Sequence, residues 1–151
     1  MIIRKAELGD IARGIEMVRA FYSSAFKEMD LAFDEKEADK LCQILVKDNL
    51  AIVAIDKDKV IGAIAGMITP YIFDPGARMF QETVWYVDES YRNGPLPIRL
   101  IHSAEDYCKE HNIRYCLMAS LGNRRDESLA KLYGRRGYKH FETTYIKTIG
   151  E

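Results

Sequence analysis

Apolar residues recur along this chain in two rhythms. Ile11, Ile15, Val18, Tyr22 and Ala25 fall at three- and four-residue spacing, the period that lines one face of a helix, and Asp10 stands where an N-cap belongs. Ala38, Leu41, Cys42, Leu45 and Val46 repeat that stripe and predict a second helix over Glu35–Lys47. Other runs read as strands. Ile2–Leu8 opens the chain, and Ala51–Ile55 and Val60–Ile68 flank a hairpin turn at Asp56-Lys57-Asp58-Lys59. Pro70 and Asp74-Pro75-Gly76 mark a loop, after which a long strand runs from about Met79 to Val87. Ile98, Ile101, Ala104 and Cys108 predict a third helix that ends at His111-Asn112. Ile113–Leu121 reads as a strand buried on both faces. A fourth helix covers roughly Arg125–Arg135 and stops at Gly137, and His140–Ile149 reads as a closing strand. The order predicts an α/β fold, with a mixed central sheet of six to seven strands flanked by about four helices.

Length and charge narrow the field. A chain of 151 residues suits one domain with its own core, so a single domain over residues 1–151 is expected. Lys plus Arg number 22 against 23 Asp plus Glu, a balance without the basic excess of a nucleic-acid binder or a polybasic membrane anchor. Cys42, Cys108 and Cys116 are an odd count without a Cys-x-x-Cys pair, which argues for a reducing, cytoplasmic location over a disulfide scaffold. Charge follows Met1-Ile2-Ile3 at once, so no signal peptide is expected. The longest uncharged apolar run, Val60–Phe73, is too short to span a bilayer and contains Pro70. His102, His111 and His140 lack zinc-like spacing, so no metal site is expected, and no Gly-x-Ser-x-Gly elbow or Walker loop occurs.

One stretch, VDESYRNGPLPIRLI (Val87–Ile101), carries more backbone control than a strand-to-helix connection needs. Glycine lets a backbone approach a ligand closely, and Pro97 is suited to the first position of a helix. The unpaired amides of that helix start, with the positive end of its dipole, attract anions, and Arg92 adds planar donors suited to phosphate. The stretch therefore reads either as a phosphate cradle or as a plain turn with a surface arginine.

Four stretches in sequence decide the context. IIRKAELGDIARGIEMV (Ile2–Val18) has a strand ending in Arg-x-Ala, then an Asp at a helix start; AIVAIDKDKVIGAIAG (Ala51–Gly66) is a hairpin with a glycine, Gly62, entering its second strand. VDESYRNGPLPIRLIHSAEDYCKEHN (Val87–Asn112) runs from a strand-end Val through Tyr-Arg-x-Gly into a helix, and LAKLYGRRGYKHF (Leu129–Phe141) holds Leu-Tyr-x-x-x-Gly-Tyr. In this order they resemble the GCN5-related N-acetyltransferase (GNAT) superfamily over nearly the whole chain.

The resemblance implies an acetyl-coenzyme A-dependent N-acetyltransferase that moves the acetyl group directly onto an amine, without an acyl-enzyme. It puts the coenzyme A pyrophosphate on the loop Arg92–Pro97 and the pantetheine arm along the strand ending at Tyr86 and Val87. This chain departs from the family's Arg/Gln-x-x-Gly-x-Gly/Ala pattern. Pro95 and Pro97 stand where glycines are usual and remove two amide donors, while Asn93, Gly94, Leu96 and Ile98 keep theirs. Asp126 occupies the position where many members have an Asn, and Asn123, three residues earlier, either substitutes or belongs to a polar turn.

Amine acetylation needs a base for the amine and a proton for the departing thiolate. Glu82 precedes Val84 and Tyr86 on one strand side by alternation, a costly place for a carboxylate unless it faces a cleft. It reads as the base or as a strand-end surface carboxylate. Tyr133 holds the position of the family's proton-donating tyrosine, or packs its helix on the sheet. Phe26, Met29 and Phe33, with Tyr71-Ile72-Phe73, are expected to shape the acceptor site. The expected acceptor is a small-molecule amine or a protein or peptide amine, either an N-terminus or a lysine; no nucleic acid or membrane partner is expected, and a homodimer is left open. The alternative is a catalytically silent coenzyme A-binding or protein-interaction module on the same fold.

Overall fold

The computed structural model describes residues 1–27, 29, 31–121 and 126–150. They fall into two compact units, Met1–Ala119 and Ser120–Glu151.

The first unit is a five-stranded sheet with helices. In chain order it contains β1 (Ile2–Lys5), α1 (Ile11–Ala25), α2 (Glu35–Asp48), β2 (Leu50–Asp56), β3 (Lys59–Tyr71), β4 (Asp74–Val87), α3 (Leu96–Glu110) and β5 (Tyr115–Leu117). The strands lie in sequence order; β1 to β4 pair antiparallel, and β5 joins β4 in parallel. The mixed α/β architecture is as expected. α1 buries Met17 against Val53 and Val60, and α2 brings Leu45 onto Ala51 and Ala65. α3 turns Leu96, Leu100, Ile101, Ala104 and Cys108 inward, all buried.

Local chemistry sets the ends of these elements. Asp34 caps α2 by accepting the N–H groups of Lys36 and Glu37 at 2.8 and 3.2 Å. Asp10, expected to cap α1, has another task. Its carboxylate accepts the Glu7 N–H at 2.8 Å and both Arg4 Nη groups at 2.7 and 3.1 Å, so it clamps the β1–α1 connection. The β2–β3 hairpin turns on Lys57 and Asp58, both left-handed at φ 48° and 62°. Pro70 does not break β3, which pairs Pro70 with Arg78 and reverses at Ile72-Phe73. β2 stops pairing at Gly66, so at Pro70 β3 is an edge strand, where a missing donor is tolerated.

Two strand expectations are corrected. Ile113–Leu121 contributes only the three-residue β5, with Tyr115 exposed, because only Met79–Gln81 of β4 pairs with it. In the second unit, α4 (Asp126–Arg135) forms and is followed by Gly137 at φ 86°. His140–Ile149, however, forms no strand; Phe141, Tyr145, Ile146 and Ile149 are exposed. Strand-favouring residues supply no edge to pair with. The described sheet therefore has five strands, short of the six to seven expected. No helix among the described residues is long and apolar enough to cross a membrane.

Candidate functional site

The site begins with an irregularity in β4. Ala65 pairs with Val84 and Gly66 with Glu82, leaving Thr83 as an extra residue on β4, a β-bulge. Gly66 is what permits it. A Cβ there would sit 2.1 Å from the Gln81 carbonyl oxygen and 2.7 Å from the Phe80 ring, so only glycine lets β3 approach so closely. The bulge interrupts the alternation expected to place Glu82 with Val84 and Tyr86. An isolated glycine in an apolar strand was the signal for it.

At the same level β4 and β5 part. Their pairing covers Met79↔Tyr115, Phe80↔Cys116 and Gln81↔Leu117, and no strand pairing continues it along Glu82–Val87 among the described residues. Glu82 stands at the parting, half-buried, and accepts the Ala119 N–H at 3.2 Å. Burial pushes its pKa up from 4.5 to about 7, and the Ala119 hydrogen bond opposes only part of that rise. A carboxyl poised near neutrality at a strand divergence can take a proton from a reacting amine.

The end of β4 is held from two sides. Arg13 of α1 donates to both Asp88 carboxylate oxygens at 2.7 and 2.9 Å and, through Nε, to the Val60 carbonyl at 3.1 Å. This clamp joins α1, β3 and the loop after β4, and no sequence motif announced it. Arg92 donates from Nε to the Val87 carbonyl at 2.7 Å, and its guanidinium lies 5.2 Å from the centre of the half-buried Tyr86 ring. Its Nε is thus turned to the strand end, leaving the terminal nitrogens for any anion.

The loop amides are fewer than the sequence count. The Gly94 N–H is taken by the Tyr91 carbonyl at 3.3 Å and the Arg92 N–H by Glu89 at 3.2 Å. Pro95 precedes α3, and Pro97 is its second residue rather than its first. Asn93, Leu96 and Ile98 keep N–H groups without a backbone acceptor among the described residues. Gly94 has an ordinary φ, and a Cβ there would make only ordinary contact at 3.6 Å, so its backbone does not require glycine.

Of the expected acceptor residues, Phe26 and Phe33 lie against Tyr22, with ring centres 5.6 and 5.5 Å away, and Met29 is half-buried on the same connection. Ile72 and Phe73 stand exposed at the β3–β4 turn beside Tyr71. In the second unit Tyr133 is buried on α4, its ring 5.6 Å from that of Tyr138, and its carbonyl accepts the Tyr138 N–H at 3.0 Å. Asn123 lies outside the described residues. No group of three metal-ligating side chains occurs among the described residues.

The parallel β4–β5 pair of this mixed sheet thus opens beside a carboxyl that burial holds near neutrality. Comparison makes the class specific: the chain belongs to the acetyltransferase (GNAT) family, whose model matches residues 15–138. Solved structures share the fold. A predicted acetyltransferase with acetyl-CoA from Clostridium acetobutylicum is 18% identical with a TM-score of 0.75, over 98% of this chain and 96% of that one. A ribosomal-protein-alanine N-acetyltransferase from Brucella melitensis biovar Abortus 2308 is 20% identical with a TM-score of 0.71, over 99% of both chains. An aminoglycoside acetyltransferase from an uncultured soil metagenomic sample, in complex with trehalose, is 14% identical with a TM-score of 0.74, over 98% of this chain and 95% of that one. At these identities the likeness establishes the fold alone. No curated protein sequence matches the chain.

Proposed function

We propose that this chain is an acetyl-coenzyme A-dependent N-acetyltransferase that moves the acetyl group directly onto an amine. The observation that carries the reading is the Glu82 carboxyl, held near neutrality where β4 and β5 separate. In this reading Glu82 takes the proton of the attacking amine, directly or through water. Tyr133 protonates the departing thiolate, a role it receives from its place in the family signature. The side of β4 that carries no strand pairing beyond Gln81 among the described residues, up to Tyr86 and Val87, fits an extended pantetheine arm, which would pair with it as an added strand. The amides of Asn93, Leu96 and Ile98 and the Arg92 guanidinium would face the phosphates, with Gly94 and Pro97 shaping the loop and Asn123 contributing from the segment before α4. Bound there, acetyl-coenzyme A supplies the activated acyl group. Phe26, Met29 and Phe33, with Tyr71–Phe73, would receive a small-molecule or peptide amine of apolar character.

The decisive experiment is thiol release from acetyl-coenzyme A across an amine panel, with wild type beside Glu82→Gln. Turnover in wild type that collapses in Glu82→Gln supports the reading. One observation favours the alternative, a silent coenzyme A-binding module: prolines and the Tyr91 carbonyl leave the loop three amides without a backbone acceptor among the described residues. Calorimetric donor binding without turnover on any amine would select it.

A further inference from the structure

We propose that Cys108 and Cys116 are a reversible oxidation site, closing to an intramolecular disulfide when the protein meets a hydroperoxide. The argument starts from which way each side chain faces. Cys108 lies on the buried stripe of α3, four residues after Ala104, and is 4% exposed. α3 covers the sheet face to which Gly62 belongs, since a Cβ on Gly62 would meet Leu100 at 3.3 Å. Gly66, four residues along β3, shares that face, and a Cβ there would meet the Phe80 ring. Cys116 is the register partner of Phe80, so it too points at α3.

The connection between the two cysteines is tight. The Ile113 N–H donates to the Cys108 carbonyl at 2.8 Å, and Asn112 takes φ 54° to make the reversal. Cys116 follows three residues later. Both side chains therefore face the space between α3 and β5, and both are reduced in this structure. Their surroundings differ. Cys116 is half-buried, so an oxidant reaches it first. The hydrogen bond to Cys116, and then burial, push the Cys108 pKa up, so Cys108 is not the thiol an oxidant modifies first, and in the second step its proton passes to the departing hydroxide.

The chemistry balances. The Cys116 sulfur attacks one peroxide oxygen; the O–O bond breaks, and water (or an alcohol) leaves as the sulfur becomes a sulfenic acid. The Cys108 sulfur then attacks that sulfenic sulfur, the S–S bond forms, and hydroxide leaves with the Cys108 proton as water. Two thiols lose two electrons and the peroxide gains them. The product ties α3 to β5, the short strand that leads to the Ala119 N–H on Glu82.

The test uses the whole chain and hydrogen peroxide, followed by alkylation, denaturation and peptide mapping. Titratable thiols are expected to fall from three to one, with Cys108 and Cys116 in one linked peptide and Cys42 free, and dithiothreitol should restore all three. Cys108→Ser should leave Cys116 as a sulfenic acid that dimedone captures. Cys42→Ser, which leaves the pair untouched, should still close the bond. Persistence of three thiols after oxidation would overturn the proposal. So would links between chains, or conversion of Cys116 to its sulfinic acid without a bond to Cys108. Mapping of the unaltered protein decides the matter even where a serine variant fails to fold.

Discussion

Glu82→Gln should make the protein more stable above neutral pH while reducing its activity. The native carboxyl titrates near 7 against 4.5 as its ordinary value. The folded state thus holds this proton more tightly than the unfolded chain. Between those two values the native state carries more protons, so the Glu82 contribution to stability falls as pH rises from about 4.5 to about 7, then levels. A shift of this size corresponds to about 3 kcal/mol, and water reaching a half-buried group reduces the expected effect to about 1–3 kcal/mol. Glutamine keeps the shape, stays uncharged, and still offers an oxygen to the Ala119 N–H. Wild type and Glu82→Gln should therefore unfold alike near pH 4.5. At pH 8 the variant should be more stable by about 1–3 kcal/mol, or a Tm higher by about 2–12 °C. Urea unfolding followed by circular dichroism across pH 4.5–8.5 measures the difference, and titrations common to both proteins cancel in it. In the same series, wild-type turnover should rise through about pH 7, and Glu82→Gln should lose that limb. A stability difference that does not change with pH, or a variant less stable at pH 8, would refute the argument that burial holds this carboxyl neutral.

Other perturbations test the frame around it. Gly66→Ala must push a Cβ into the Gln81 carbonyl, so it should destabilise by about 2–4 kcal/mol in urea unfolding, whereas Gly62→Ala, with a nearest contact of 3.2 Å, should cost less. Arg92→Ala loses the bond to the Val87 carbonyl and the charge toward the phosphates, and should raise the calorimetric Kd for acetyl-coenzyme A by about 10- to 100-fold. Asp10→Asn removes a carboxylate whose pKa the Arg4 hydrogen bond holds low, so it should destabilise at neutral pH by about 1 kcal/mol, and the difference should fade as pH falls from the ordinary aspartate value through the lowered value of Asp10. Tyr133→Phe keeps the ring and removes the hydroxyl; turnover should fall by about 10- to 1000-fold with donor affinity unchanged, and full turnover when chemistry is rate-limiting would assign the proton to another donor.

What could be read from the residues follows from what side-chain patterns encode. Helices α1 to α3 were legible because their apolar stripes pack on one sheet, and the stripe itself is local. The tight β2–β3 turn was legible because Asp56-Lys57-Asp58-Lys59 interrupts two apolar runs. Strand pairing was less so. The apolar run Ile113–Leu121 promised nine residues of strand, but its length in the sheet is decided by where β4 stops offering partners, at Gln81. His140–Ile149 carries the strand-favouring residues Phe141, Tyr145, Ile146 and Ile149, yet those residues stay exposed. Asp10 sits where a helix cap is usual, and only the fold brings Arg4 close enough to claim it. The same limit applies to Glu82. Its position near a strand end was visible, but the bulge at Thr83 needs both β3 and β4 to be seen, and the Gly94 amide was lost to a carbonyl, Tyr91, that no motif marks.

The bulge explains why a carboxyl can exist at that point in β4 at all. A regular strand would pair its neighbours on both sides and carry Glu82 onto a face shared with Val84 and Tyr86. Here Gly66 lets the Gln81 carbonyl and the Phe80 ring close on β3, Thr83 is squeezed out, and pairing with β5 ends at the preceding residue. The carboxyl is left half-buried with a backbone donor from Ala119. A carboxylate can accept about four hydrogen bonds; burial and the one donor that the described residues give it, the Ala119 N–H, leave it poorly satisfied, and the proton is retained. More donors would lower the pKa, stabilise the fold at neutral pH, and weaken the base. Fewer would keep the group protonated and unable to accept a proton. A pKa of about 7 lies between these limits, where about half the molecules carry the base form at neutral pH. Because the donor count is set by where the strands part, and that point is set by Gly66, a side chain at position 66 should disturb the Glu82 titration as well as the fold.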